Sequence, residues 1–320
     1  MSALNIWVVC EPSGTDITTT SKELLSEAVR LNATVSAVSW GPHTDGLSDL
    51  TGSWGAHHFY DLGDLGGVLP GSVVAATVAS LVSEGTPDAV LIPASTDGRD
   101  IAGCLSAFLD APVLTNITGL REGPDLLSEH TLFGGTQAAF ARNLGSAPSI
   151  MVVRPKSFAV GTPAAASASR VAVTPVTPRV RRVNIASSHI EQRNGPALDD
   201  AQVVVSGGRG LGDAASYGLV EELATLLGGA PGASRAIVDA GWVPYSHQVG
   251  QTGATVKPTL YVACGISGAT QHMVGMKGST YIVAVNKDPD APIFSLSDFG
   301  VVGDVHNVLP ALIAALRARS

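Results

Sequence analysis

"YVACGISGATQHMVGM", residues 261–276, sets an apolar run directly against a turn with glycines at 265 and 268, then continues into residues that read as the first turns of a helix. Strand, glycine turn and helix in that order form the βα junction of a parallel sheet. A second junction lies upstream, where "AQVVVS" (201–206) runs into "GGRGLG" (207–212) and then "SYGLVEELATLLG" (216–228). Glycine lets the backbone approach a ligand closely, and the first N–H groups of a helix are unpaired and partly positive, so each junction suits a phosphate or pyrophosphate. Taken alone, each is equally well a tight structural turn. Two in one small domain favour a dinucleotide. Neither is a G-x-G-x-x-G fingerprint with an acidic residue about twenty positions on, which argues against an ordinary nicotinamide site.

Outward from these turns the alternation continues. Strands are expected at 235–241 ("RAIVDAG"), 259–265 and 279–286, with helices over 269–276 and 305–319. Leu219, Leu223, Leu226 and Leu227 recur at helical spacing and read as core. The first half alternates in the same way, with strands near 4–9, 34–40, 57–62, 88–94, 111–118, 126–133 and 147–155. Its helices cover 22–31, 72–82 and 99–109, the last entered through "STDGRD" (95–100), whose small polar residues can cap free N–H groups. Strands that return after helices imply an α/β fold of two domains, each with a mainly parallel sheet flanked by helices. Between 161 and 198 four prolines and low helical periodicity mark a connection or edge strand. The expected boundary lies near 190, giving an N-terminal α/β domain over 1–190 and a Rossmann-like domain over 191–320.

Composition narrows the function. The 320 residues are 45% hydrophobic and 14% charged, enough for sizeable cores. A formal charge of −8 argues against nucleic acid as a partner, and the short cluster Arg179, Arg181 and Arg182 reads as a solvated linker. The cysteines, Cys10, Cys104 and Cys264, are odd in number and scattered, which suggests neither a disulfide framework nor a thiolate metal site. With no basic leader before the apolar stretch Ile6–Cys10 and no apolar run of about 18 residues, the expectation is a cytoplasmic protein without membrane insertion.

Polar residues gather around the glycine turns: Arg209, Ser234, Arg235, the run "QVGQTG" (248–253), Ser267, Gln271, His272, Asn286 and Asp304. Each has an ordinary structural reading. By itself His272 reads first as a helix-surface histidine bonded to a carbonyl, Asp304 as a helix N-cap, and Arg235 as one half of a surface ion pair. At the start of an expected strand, however, Arg235 has no obvious acidic partner.

The ordered string "SGGRG", "ASRAIVDAGWVP", "QVGQTG", "LYVACGISGATQHMVGMKGS" and "IVAVNKDPDAPIFSLSDFGVVGD" closely resembles the alpha subunit of the electron transfer flavoproteins over nearly all of residues 201–320. The N-terminal half resembles that family more loosely, in element order and in stretches such as "TDGRDIAG" (96–103). The resemblance implies FAD held by the C-terminal domain, with its flavin ring facing a separate beta subunit in a heterodimer. By position, Gly265 and Ser267, Gly268, Ala269 and Thr270 would meet the pyrophosphate. Gln271 and His272 would lie toward the ring, His272 near its C2 carbonyl. Arg235 would stand beside the ring and Thr252 near N5, with Ser234, Gln248, Val249, Gly250 and Gln251 as neighbours. Arg209, Asn286, Asp304 and Val305 would serve the phosphate and adenosine side. Two departures stand out: Ala254 where many members carry Lys, and "DVHNVLP" (304–310) where Asp-Leu-Phe is usual.

In that reading the chain carries electrons from flavin dehydrogenases to an acceptor such as a quinone oxidoreductase, as a carrier subunit and not a stand-alone catalyst. A cation at Arg235 would stabilise negative charge developing near N1 and the C2 carbonyl. The alternatives are an NAD-dependent oxidoreductase or transferase on the same type of domain, and a flavin-free interaction subunit.

Overall fold

The computed structural model describes residues 4–42, 44, 46–123, 126–133, 136–145, 148–178, 183–187, 196–198 and 200–319. Contacts divide the chain into two compact units, Met1–His189 and Ile190–Ser320. The boundary expected near 190 and the Arg179, Arg181, Arg182 cluster lie outside the described residues.

The first unit begins with β1 (Asn5–Val9), a two-residue hairpin of β2 (Pro12–Ser13) and β3 (Asp16–Ile17), and α1 (Thr19–Arg30). It continues through β4 (Thr34–Ser39), α2 (Leu47–Ser53), β5 (His58–Asp61), α3 (Pro70–Gly85), β6 (Ala89–Pro93) and α4 (Thr96–Leu109). The strands β7 (Val113–Ile117), β8 (Gly119–Arg121), β9 (Leu127–Leu132), β10 (Gln137–Ala141), β11 (Ser149–Val153) and β12 (Ser169–Ala172) complete it. A parallel sheet runs in the order β12-β5-β4-β1-β6-β11-β7, and β8, β9 and β10 form a separate antiparallel sheet. Strand alternation explains the two-layer core. Ile6 and Val8 of β1 pack into one apolar cluster and Trp7 and Val9 into the other, and each fully buried aliphatic side chain contributes about 1.5–3 kcal/mol. Ser95 caps α4 as the "STDGRD" entry implied, its Oγ accepting from the Gly98 N–H at 2.8 Å.

The second unit comprises β13 (Val203–Gly207), α5 (Gly218–Leu226), β14 (Ala230–Ala233), α6 (Arg235–Val238), β15 (Leu260–Cys264), α7 (Thr270–Val274), β16 (Tyr281–Asn286), β17 (Phe299–Val302) and α8 (Val305–Arg317). Its five strands are all parallel, in the order β14-β13-β15-β16-β17. Two expectations need correction. Residues 235–238 of "RAIVDAG" are helix α6, and the strand is the preceding Ala230–Ala233. Because β14 is an edge strand, Pro231 can sit in it without removing an interior ladder bond, so the β-branched Ile237 and Val238 were the misleading signal. Of the four leucines expected in the core, Leu223 is fully buried and Leu219 and the capping Leu227 pack against the core, but Leu226, the last residue of α5, is exposed.

Candidate functional site

Numbered from the start of the second unit, its strand order is 2-1-3-4-5, which reverses between β13 and β15; open α/β sheets bind ligands outside the strand carboxyl ends at such a reversal. Both glycine turns leave the sheet there. The Gly208 N–H donates to the Cys264 carbonyl and the Gly210 N–H to the Gly265 carbonyl, each at 2.9 Å. A methyl group on Gly210 would stand 2.7 Å from the Gly265 Cα, so glycine here permits two backbones to touch. Gly268 adopts φ +87°, and a Cβ on it would lie 2.3 Å from the Ile293 nitrogen. Among the described residues, no intramolecular hydrogen bond occupies the amide N–H groups of Ser267, Gly268, Ala269 and Thr270, which lead into α7.

A second wall is the 248–254 loop. It is fastened to the end of β14 by the Val249 N–H on the Ala233 carbonyl (2.9 Å) and to α7 by the Gln251 N–H on the Gln271 carbonyl (2.8 Å). Gly250, at φ +143°, passes so close that a Cβ on Gly275 would be 2.5 Å from its Cα. The buried Gln248 side chain donates from Nε2 to Thr252 Oγ1 at 3.0 Å, leaving the exposed Thr252 hydroxyl hydrogen free to point outward. The Tyr245 hydroxyl donates to the Thr252 carbonyl and so holds the tip of the loop.

Arg235 opens α6 directly after β14, its side chain 65% exposed, with Nε 3.1 Å from Asp239 Oδ2. The helical turn brings Asp239 round to it, so the missing acidic partner was an artefact of reading a strand. Ser234 precedes it with no side-chain capping bond. After the neighbouring strand β13, the exposed Arg209 begins a 3₁₀ turn over Arg209–Leu211 that is anchored by the buried Leu211. Asp304 caps α8 through the His306 N–H at 2.9 Å, while the Val305 side chain is buried in the core. Asn286 ends β16 and spends its side-chain amide on the Ile266 carbonyl at 2.9 Å. The sequence-expected residues therefore sit at the carboxyl ends of all five strands, joined by the 248–254 loop.

His272 is not on a helix surface. It is 6% exposed, and its Nε2 lies 2.9 Å from the hydroxyl of the fully buried Tyr261 on β15. Burial lowers its pKa to about 4, outweighing a smaller opposite influence from the Val249 backbone, so the ring is neutral at pH 7. Nδ1 is sealed from solvent without a hydrogen bond of ordinary geometry. Tyr261 was missed in the sequence; its signal was a hydroxyl inside an otherwise apolar strand.

The N-terminal unit has a cavity of about 320 Å³ at the corresponding reversal, lined by Glu11, Pro12, Thr18, Trp40, Ser95, Thr96 and Asp97. Burial raises the pKa of both Glu11 and Asp97, and no lining residue is basic, so phosphate is disfavoured there. The second unit's edge fits a dinucleotide better. Its turns are cleared of side chains by glycine, its amides at 267–270 are unpaired, and Arg209 and Arg235 follow the carboxyl ends of β13 and β14 in the same sheet. Among the described residues no group of His, Cys, Asp and Glu is placed to hold a metal, and no helix is long and apolar enough to cross a membrane.

Comparison with known proteins agrees with this geometry. The family model described as "Electron transfer flavoprotein FAD-binding domain" matches residues 197–277, and "Electron transfer flavoprotein domain" matches 6–179. A protein of Thermoanaerobacterium thermosaccharolyticum named electron transfer flavoprotein subunit alpha is 37% identical, with 98% of each chain covered. One of the same name from Mycobacterium leprae is 45% identical over 76% of this chain and 75% of its own. "Protein FixB" of Clostridium saccharobutylicum is 35% identical over 97% and 95%. These matches favour FAD and electron transfer over the nicotinamide alternative. The chain belongs to the electron transfer flavoprotein family, as an alpha subunit whose C-terminal domain takes FAD.

Proposed function

We propose that this chain is the FAD-holding half of a heterodimeric electron carrier in the cytoplasm, loaded by flavin dehydrogenases and discharged to an acceptor such as a quinone oxidoreductase, with no catalysis of its own on an organic substrate. The observation that carries the reading is the gathering of one glycine-cleared, amide-lined edge and two arginines at a single sheet reversal. Bound FAD supplies the redox chemistry; the chain sets its potential and its access.

In this reading Gly265, Ser267, Gly268, Ala269 and Thr270 hold the pyrophosphate with backbone N–H groups, and Arg209 adds charge. Asp304 and Val305 serve the adenosine side. Asn286 acts one step back, by fixing the Ile266 carbonyl and hence the course of the turn. On the ring side, Ser234, Val249, Gly250, Gln251 and Gln271 shape the slot, and Gln248 orients Thr252 to donate its hydroxyl hydrogen. With His272 neutral, positive charge beside the ring comes from Arg235, whose exposed side chain can leave Asp239 for a more electron-rich partner. The beta subunit would cover the open face of the ring. The test is coupled electron transfer from a flavin dehydrogenase to a dye, with the chain alone and with its beta subunit. Transfer that needs both chains supports the proposal; full, stable transfer by the chain alone contradicts it.

A further inference from the structure

Tyr217 ends the 3₁₀ turn Ala215–Tyr217 that enters α5, and it is 3% exposed, packed in the apolar cluster of Leu211, Val220 and Ile237. A phenylalanine would fill that cluster equally well, and a hydroxyl taken out of water without partners is a net cost. This hydroxyl has two. It donates to the Gly232 carbonyl of β14 at 3.1 Å and lies 3.2 Å from Nδ1 of His247, whose half-buried ring stacks on the tyrosine at 6.0 Å between centroids and 22° between planes. A phenol can give its hydrogen to a carbonyl and accept another from an imidazole at the same time, so the two contacts are compatible. The same ring closes against β13, since a Cβ on Gly207 would stand 3.2 Å from Tyr217 Cδ2. Tyr217 thus touches both strands that lead into Arg209 and Arg235, and it reaches the root of the 248–254 loop as well.

His247 carries that contact onward. It ends the 3₁₀ turn Tyr245–His247, directly before Gln248, whose side chain donates to the Thr252 hydroxyl, while Tyr245 of the same turn holds the Thr252 carbonyl. The backbone bonds of Val249 and Gln251 fasten the loop beyond this point, and the His247 ring fastens it at the root. We propose that Tyr217 is a positioning residue for the flavin: through its hydroxyl it ties the end of β14 to the root of the 248–252 loop, and so sets the separation of Arg235 from Thr252. The inference rests on the reading of Arg235 and Thr252 as ring-side FAD contacts. Tyr217 and His247 act from beneath them. Removing the hydroxyl leaves the aromatic stack in place and loosens the root of the loop.

The experiment is a double-mutant cycle of Tyr217→Phe and His247→Phe in the full chain, purified with its beta subunit. Three readouts are taken: FAD affinity, flavin midpoint potential, and amide hydrogen exchange over 245–254. In each single variant FAD should bind about two- to tenfold more weakly, the worth of one hydrogen bond, and the potential should fall as the Thr252 hydroxyl loses its place. Exchange over the loop should quicken. The double variant should go no further than the larger single change, because the two residues act as one unit. Additive changes overturn the proposal, and so do single variants that keep the wild-type affinity and potential, whatever happens to their melting temperature. If the wild-type complex takes up no FAD, the FAD reading fails separately. Exchange then still decides the tie: quickened in both single variants it is supported, unchanged it is overturned.

Discussion

Gly275 ends α7 at φ −80°, a conformation open to any residue, so the case for glycine there is purely one of space. In Gly275→Ala the new Cβ would lie 2.5 Å from both the Cα and the nitrogen of Gly250, and 3.0 Å from its carbonyl carbon. Backbone, not a flexible side-chain end, must give way, by roughly 1 Å to reach ordinary contact. The loop is held on both sides, by Val249 on Ala233 and by Gln251 on Gln271, so it cannot yield without loss. Overpacking of this kind costs about 1–3 kcal/mol and a broken backbone hydrogen bond about 0.5–1.5 kcal/mol, together about 2–4 kcal/mol. For a domain of this size that is a fall in melting temperature of about 6–15 °C. Since the displaced loop carries Val249–Thr252, FAD content should fall with it. Thermal unfolding and released FAD per chain, measured on the variant co-expressed with its beta subunit, give both readouts. An alanine variant that melts with the wild type and retains full FAD would refute the reasoning from close approach.

Other outcomes follow from the same geometry. Gly103 lies in the exposed interior of α4 with nothing within 4 Å of a prospective Cβ, so Gly103→Ala should stabilise the N-terminal unit by about 0.5–1 kcal/mol in urea unfolding, and a loss of stability would contradict it. Burial holds the folded His272 pKa at about 4, against 6.5 for an ordinary histidine, so below pH 6.5 the unfolded chain binds the extra proton. Its contribution, on the order of 3 kcal/mol, is complete above pH 6.5 and is lost as pH falls toward 4. The difference in stability between wild type and His272→Gln should therefore shrink across that window, and a pH-independent difference would count against a buried neutral ring. Arg235→Ala removes an exposed ion pair worth about 0.3–0.5 kcal/mol, so unfolding should barely change while the flavin potential drops, with Arg235→Lys intermediate. An unchanged potential in both would leave Arg235 as a surface cation.

The parallel sheets were legible because each buried strand is a short apolar run closed by a turn, and because Ser95 stands where a cap is needed. The glycine turns were legible as turns, but their meeting was not: that Gly210 touches Gly265 depends on β13 and β15 being neighbours, although β14 comes between them in sequence. Edge position hid β14, whose Pro231 and Gly232 look unlike a strand, and promoted "RAIV" in its place. The burial of His272 was hidden for a related reason. Its neighbours Gln271 and Thr270 are exposed, and what buries it is a tyrosine on a different element together with a loop some twenty residues upstream. Helical periodicity reports which face of a helix is apolar, not which polar group is met by a partner from elsewhere.

The central claim, that the carboxyl edge of the second sheet holds FAD, is tested most directly by FAD binding to the deflavinated complex of this chain with its beta subunit, wild type against Gly268→Ala. That substitution forces a side chain onto φ +87° and within 2.3 Å of the Ile293 nitrogen, in the turn assigned to the pyrophosphate. The account predicts equimolar FAD and a flavin absorption spectrum in the wild type, and affinity reduced by tenfold or more in the variant. A colourless wild-type complex that takes up no FAD, or a folded Gly268→Ala complex that binds it with undiminished affinity, would contradict it.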